Sequence, residues 1–253
     1  MNNQKNSEEI EIMRQGGKIL AQVLADVIKD VRPGVSTMHL DMLARTGLKA
    51  RGANPSFLGY RTGNQSFPAS LCTSVDSAVV HGIPSPEIIL QEGNIIGLDL
   101  GAWYKGLCTD IAVTVPVGKI SKPASKLIKI TRESLIQAIQ QVHAGCRVGD
   151  ISEAVQTYVE AAGFSVVRAL VGHGVGRAVH EEPRIPNFGH SGTGPLLQEG
   201  MTVAIEPMVN AGGSEIRILS DSWTVVTEDN SLSAHFEHTV LVTKHGYEIL
   251  TQI

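Results

Sequence analysis

The apolar residues Ile10, Met13, Leu20, Val23, Leu24, Val27 and Val31 fall at helical spacing, with polar and charged residues between them. Such a pattern predicts a helix with one apolar stripe and a wet opposite face. Ser7 is placed to cap it, Glu8 and Glu9 occupy the first turn, and Pro33-Gly34 ends it. Ser36 opens a second helix through Leu40, Leu43 and Leu48, stopped by Gly52. A third helix is predicted over about residues 121–142, and a fourth with Asp150 and Glu153 as capping box and Gly163 as stop. Between and after these pairs the pattern changes to short β-rich runs: AVVHGI, NIIGLDLGA, DIAVTVPV, MTVAIEPMV, SWTVVTE and HFEHTVLVT.

The order helix, helix, strands occurs twice. Val31, Gly34, Leu40 and Gly52 match Val142, Gly145, Ile151 and Gly163, each pair 111 positions apart. The tetrapeptide LQEG at Leu90 returns at Leu197, an offset of 107, and each copy leads an apolar run whose sixth residue after the glycine is acidic, Asp99 and Glu206. Asp110 in TDIAVTV and Glu237 in FEHTVLV form a second acidic pair, each leading a strand. Two halves, residues 1–120 and 121–253, are therefore expected to build one domain, an α+β fold in which a composite sheet carries helices on one side. With only two units, a solenoid is excluded.

An acid within an apolar strand takes up a proton or finds a partner. For one such residue a hydrogen-bonded core group is the commoner outcome. Four in register reverse that balance, and the nearest cations in sequence, Lys105 and Arg217, are too few to neutralise them. Divalent cations are the simplest compensation.

His173 and His180 lie in VGHGVGRAVHEEP, among Gly172, Gly174 and Gly176. On extended chain a separation of seven puts two side chains on opposite faces, so one histidine is expected to ligate metal and the other to donate a hydrogen bond to substrate. A glycine-rich surface loop fits the stretch equally well. His81 in VVHGIP ends an apolar strand, where a packed imidazole is common. Carboxylates and imidazole without thiolates suit Mn, Fe, Co or Zn, and four acids suggest two ions.

Composition narrows the alternatives. At 253 residues, with 18% charged residues and a net charge of −4, the chain can bury a substantial core, and its cations read as scattered. Neither nucleic acid nor a membrane is expected as partner. The polar, acidic start MNNQKNSEEIEIMRQ lacks the pattern of a secretory signal. Three cysteines, Cys72, Cys108 and Cys146, form no CxxC pair and no disulfide framework, which fits a reducing cytoplasm. No GxSxG elbow and no phosphate loop of the GxxxxGK[ST] type is present.

The stretches SEEIEIMRQGGKI, RPGVST, FPASLCTSV, VVHGIP, GHGVGRAVHEEP, LLQEGMTVAIEPMV, SWTVVTEDNSLSAHFEHTVLVT and the terminal EIL together resemble the type I methionine aminopeptidases, from about residue 7 to residue 251. The resemblance implies the pita-bread fold, a mainly antiparallel curved sheet of pseudo-two-fold halves with helices outside. It implies two divalent ions, of Co, Mn, Fe or Zn, held by Asp99, Asp110, His173, Glu206 and Glu237, with Asp110 and Glu237 bridging. A metal-bound hydroxide would then remove the initiator methionine from nascent proteins and peptides, with Glu206 taking the water proton, His180 stabilising the oxyanion and His81 assisting substrate orientation and proton transfer to the leaving amine. Tyr60, Phe67, Cys72 and Trp223 would line the methionine pocket. A cytoplasmic monomer in transient contact with the ribosome is the family expectation.

Three positions depart from the family pattern. Val179 replaces an aromatic and is expected to widen the pocket, Cys108-Thr109 replaces His-Gly before Asp110, and His235 stands where glutamine is usual. The YKGLCTD stretch is closer to Xaa-Pro aminopeptidases, which makes that activity the nearest rival. A metal-free binding protein on the same fold is the rival of another class.

Overall fold

The computed structural model of the chain describes residues 3–252. Two helix pairs form where apolar period and capping residues place them: α1 (Ser7–Lys29), α2 (Thr37–Ala50), α3 (Lys122–Ile139) and α4 (Val148–Ala161). Ser36 and Ser121 cap α2 and α3 as expected. The other two starts differ. Asn6, rather than Ser7, caps α1: its Oδ1 accepts from the Glu9 amide at 2.9 Å, and Glu9 accepts from the Asn6 amide at 2.8 Å. In α4, Asp150 is the third helical residue and not the cap. Carbonyls of Pro195 and Thr193 accept from the Val148 and Gly149 amides, each at 3.0 Å, so the helix begins earlier without a side-chain cap. Asp150 instead accepts from the Arg147 amide, the Ser191 hydroxyl and the Gly192 amide, which holds the 190s loop against the helix end.

Nine strands form the main sheet: β1 (Asn54–Pro55), β2 (Leu71–Val75), β3 (Ile95–Tyr104), β4 (Leu107–Pro116), β5 (Val171–Gly174), β6 (Glu181–Pro186), β7 (Thr202–Ile205), β8 (Glu237–Thr243) and β9 (Gly246–Ile249). Across it run β1, β3, β4, β8, β7, β5 and β6, with β2 paired to β3 and β9 to β8. All these pairings are antiparallel. The sheet curls into a half-barrel with the four helices on its outer side.

Two expected strands are broken. MTVAIEPMV ends in the main sheet at Ile205 and resumes as Met208–Asn210, which pairs with Ser165–Val166 and with Ser233–His235 in a second sheet. Pro207 has no amide to donate to a ladder. HFEHTVLVT breaks at Phe236 in the same manner, between Ser233–His235 and β8.

Strand alternation sorts side chains by layer. Ile96, Leu98, Leu100 and Ile111 face Leu20, Leu24, Leu40 and Leu48 of α1 and α2, all buried. Val203, Ile205, Val240 and Val242 pack with Leu127, Leu135, Ile151 and Val155 of α3 and α4. Each fully buried aliphatic side chain contributes about 1.5–3 kcal/mol. Each half thus has its own apolar layer, and the inner face of the sheet is left for other residues.

The pseudo-two-fold repeat extends to single hydrogen bonds. Gly34 donates to the Leu90 carbonyl and Gly145 to that of Leu197, both at 2.8 Å. Leu90 and Leu197 donate back to the carbonyls of Val35 and Cys146, again both at 2.8 Å. The leucine of each LQEG copy therefore locks its strand to the turn between the two helices of its own half.

Candidate metal centre

Register places the sequence-predicted acids on one face. Cys72 opposes Asp99, Asp99 opposes Ala112, and Ala112 opposes Glu237, which forms one row across β2, β3, β4 and β8. Extending the pairing of Ile205 with His238 by one residue brings Glu206 to the end of that row. The next row begins with the pair Gly101 and Asp110. It continues through Thr239 and Ala204 to His173, since Thr239 pairs with Ala204 and Ala204 with His173. The five expected ligands occupy these two neighbouring rows, with the small side chains of Ala112 and Ala204 between them, while Ser56 and Phe57 pack over Gly101.

Glu206 lies just past β7 and not within a strand. Asn187 Nδ2 donates to its carbonyl at 3.1 Å, which holds it in line. Asp110 is held by Thr239, whose hydroxyl accepts from the Asp110 amide and donates to the Asp110 carbonyl, both at 2.8 Å. Asp110, His173 and Glu237 each offer a ligand atom, and these atoms lie within 4.8 Å of one another. His173 Nε2 is 3.5 Å from Glu206 Oε1, while His235 Nε2 is 3.4 Å from Glu206 Oε2.

The two histidines of VGHGVGRAVH do not behave as extended chain. His173 sits on β5, and the loop of residues 175–180 folds back, so that the His173 and His180 ring centroids come within 4.4 Å, edge to face. The parity expectation fails because regular backbone ends at Gly174. His81 follows the short strand Ala78–Val80 with φ +58°, a left-handed conformation costly for a side chain of this size.

Burial and mutual repulsion push the Asp99, Asp110 and Glu237 carboxyls well above the usual carboxylate range. Burial alone raises Glu206 to about 8. The cations nearest in sequence give no relief: Lys105 lies over the Tyr104 ring, and Arg217 pairs with Glu228 at 3.7 Å. Among the described residues Asp99 Oδ1 has no hydrogen-bond partner, though it is buried. His173 is kept neutral by burial, its pKa lowered to about 3, and donating from Nδ1 to the Gly174 carbonyl at 2.9 Å leaves the Nε2 lone pair free on the inner face. An orphaned acceptor, crowded carboxyls and an oriented neutral imidazole fit divalent cations, which would supply the missing positive charge.

Beside the acids lies a cavity of about 170 Å³ whose walls include Tyr60, Phe67, Cys72, His81, His180 and Trp223. Phe67 and Trp223 meet edge to face at 5.3 Å. The sequence reading missed Phe57 and Thr62, which also line it. A signal existed for Phe57: it is an aromatic three residues from Tyr60 in the same loop. Val179 does not line this cavity; it is buried in a cluster with Met13, Leu107 and Cys108, against which two of the cavity's walls, Phe57 and Tyr60, are packed. A wider cleft of about 990 Å³, edged by Asn3, Arg177, Glu182 and Arg184, opens from His173 and His180 toward solvent.

Crowded inner-face carboxylates with a neutral imidazole, on a curled sheet backed by helices, define a pita-bread metallohydrolase. The chain belongs to metallopeptidase family M24, whose pattern matches residues 11–244. It is 49% identical over 247 residues to the methionine aminopeptidase of Clostridium acetobutylicum, spanning 98% of this chain and 97% of that one. The crystal structure of methionine aminopeptidase from Thermotoga maritima superposes with a TM-score of 0.94 at 44% identity, covering 98% of each chain. The prolidase of Pyrococcus furiosus, 24% identical with a TM-score of 0.80 over 99% of this chain and 65% of its own, shares the fold alone.

Proposed function

We propose that the chain is a methionyl aminopeptidase, a metal-dependent hydrolase that removes the N-terminal methionine from peptides and nascent proteins. The observation that carries this is the pair of inner-face rows bringing Asp99, Asp110, His173, Glu206 and Glu237 together beside a small cavity walled by aromatic rings and a thiol. These five residues would hold two divalent ions, of Co, Mn, Fe or Zn. When bound, the ions supply Lewis acidity and lower the pKa of water.

The chain's own groups do the rest. Glu206 accepts the proton of the attacking water. The Tyr60 hydroxyl lies 2.6 Å from His180 Nδ1; donating to it, the hydroxyl fixes the tautomer with hydrogen on Nε2, which then faces the developing oxyanion. His81, with its pKa lowered to about 4 by burial and by the neighbouring His235 and His180, is neutral, so it would relay to the leaving amine the proton taken from water, accepting on one ring nitrogen as it releases from the other. Tyr60, Phe67, Cys72 and Trp223 receive the methionine side chain, because ring edges and a soft thiol suit a thioether. The wider cleft takes the remainder of the peptide. The chain acts as one catalytic domain with halves at residues 1–120 and 121–253. It works as a cytoplasmic monomer in transient contact with the ribosome; among the described residues no helix is long and apolar enough to cross a membrane.

The deciding assay uses metal-reconstituted protein with the peptides Met-Ala-Ser and Ala-Pro-Ala, before and after chelation. Cleavage of the first, lost on chelation, is expected. Cleavage of the second alone would establish the Xaa-Pro activity instead, and inactivity on both with each of the four metals would favour a binding protein.

A further inference from the structure

The loop of residues 175–180 carries His180 but has no helix or strand of its own. Glu181, the next residue, ties it down. Its Oε1 accepts from the Arg177 amide at 2.5 Å and the Ala178 amide at 3.0 Å, and its Oε2 accepts from Lys5 Nζ at 2.6 Å. The Lys5 side chain is wholly shielded from solvent and also donates to the Asn3 carbonyl at 3.1 Å. Gly176, at φ +145°, passes over the Lys5 stem so closely that a Cβ there would overlap Lys5 Cε. A second ion pair, between Arg177 and Glu9 at 2.7 Å, joins the same loop to the first turn of α1.

A buried ion pair contributes little net stability compared with apolar residues of the same volume. Its value lies in direction. Here one carboxylate spans two loop amides and an ammonium from the far end of the chain, one residue from His180. The His180 ring is fixed on its other side by Tyr60 at 2.6 Å and by the edge of His173. We propose that Lys5 and Glu181 form a positioning clamp that sets the His180 imidazole over the carboxylate cluster, an inference that rests on the peptidase reading of the site. Lys5 is shielded from substrate and Glu181 borders the wider cleft; in the clamp both act through the backbone that presents His180.

Lys5→Met keeps the stem and removes the charge. On Met-Ala-Ser its kcat is expected to fall about tenfold, the scale of a slightly misplaced group, with KM changed less than about twofold. Metal binding followed by calorimetry should be unchanged, since four of the proposed ligands stand on strands and Glu206 directly follows one. In the His180→Ala background, Lys5→Met should produce no further loss, because two residues acting through one group are not additive. Added ethylammonium should restore activity to Lys5→Ala. In metal-free protein the His180 ring resonances should shift in Lys5→Met. A Lys5→Met enzyme with unchanged kcat, or one whose loss persists undiminished without His180, overturns the clamp. If the unsubstituted chain fails to cleave Met-Ala-Ser, the peptidase reading falls separately, and unchanged His180 resonances in Lys5→Met would then overturn the clamp by themselves. Should Lys5→Met not fold, Glu181→Gln carries the same expectations and the same disproof.

Discussion

Asp110 and Glu237 are the residues on which the proposed centre turns. Their positions on adjacent central strands let each face both flanking acids, and Thr239 braces Asp110 from the backbone. Asp110→Ala or Glu237→Ala is expected to abolish peptide cleavage and to weaken metal binding by orders of magnitude in calorimetry; near-native turnover in either would break the dinuclear assignment. A pH effect follows from Glu206. Its folded, metal-free pKa of about 8 stands above the unfolded value of 4.5, so the folded state holds the extra proton between those values. The contribution of Glu206 to the stability of chelated protein is therefore fully present below about pH 4.5 and is lost as pH rises through about 8. Urea unfolding of chelated protein at intervals across that range should show the decline, and Glu206→Gln should lessen its slope, with Asp99, Asp110 and Glu237, also raised, supplying the remainder in the same direction. At this scale the acids were readable because the repeat paired them, Asp99 with Glu206 and Asp110 with Glu237. The meeting of the two histidine rings was not, since a local periodicity rule has no means of anticipating a loop that doubles back.

Helices were the most readable elements, because period and stop signals coincide, and the errors lay at their ends, with two caps misplaced and α1 and α3 stopping at Lys29 and Ile139, short of Val31 and Val142. Asn6 displaced Ser7 through a reciprocal bond with Glu9, and backbone carbonyls from the 190s loop displaced the expected cap of α4. Strands were harder. β5, β6 and β9 carry glycine, proline or charged residues that blur alternation, β2 is buried on both faces and so does not alternate, and the two interrupted runs change sheets at Pro207 and Phe236, directly beside Glu206 and Glu237. Breaks of this kind are set by what the neighbouring acid must reach, which lies outside any local pattern. The repeated LQEG turn has its own test. Gly93 and Gly200 hold φ +96° and +84°, where a side chain is strained, and a Cβ at Gly200 would also lie 3.0 Å from the Lys5 carbonyl. Gly93→Ala should cost roughly 1–2 kcal/mol in denaturant unfolding. Gly200→Ala should cost more, and equal losses at the two positions would show that the N-terminal contact is slack.

At the scale of the molecule the two halves meet, within the main sheet, along a short seam, and Ala78–Val80 joins Val225–Thr227 outside it. β3 and β4, within the first half, share ten register pairs, whereas β4 and β8 share two, Glu237 with Ala112 and His238 with Ile111. Side chains extend the seam: Thr239 bonds Asp110, and the Thr114 hydroxyl both donates to and accepts from the His235 backbone at 2.9 Å. Directly over it stand Asp99 and Asp110 from one half and His173, Glu206 and Glu237 from the other, so the crowding of acids pushes the halves apart where the ladder is thinnest. Bound cations would reverse that push and cross-link the halves. Metal at about a hundredfold over its dissociation constant stabilises the folded state by about 2.7 kcal/mol, or roughly 5–10 °C in Tm for a chain of this size. Calorimetric scans before and after chelation should show that interval, and hydrogen exchange at the Ile111 and His238 amides should slow on metal addition more than exchange at Ile96 and Leu98, which pair within one half. An equal response at all four amides would mean that the halves already behave as one cooperative unit without metal, and that the ions serve the chemistry alone.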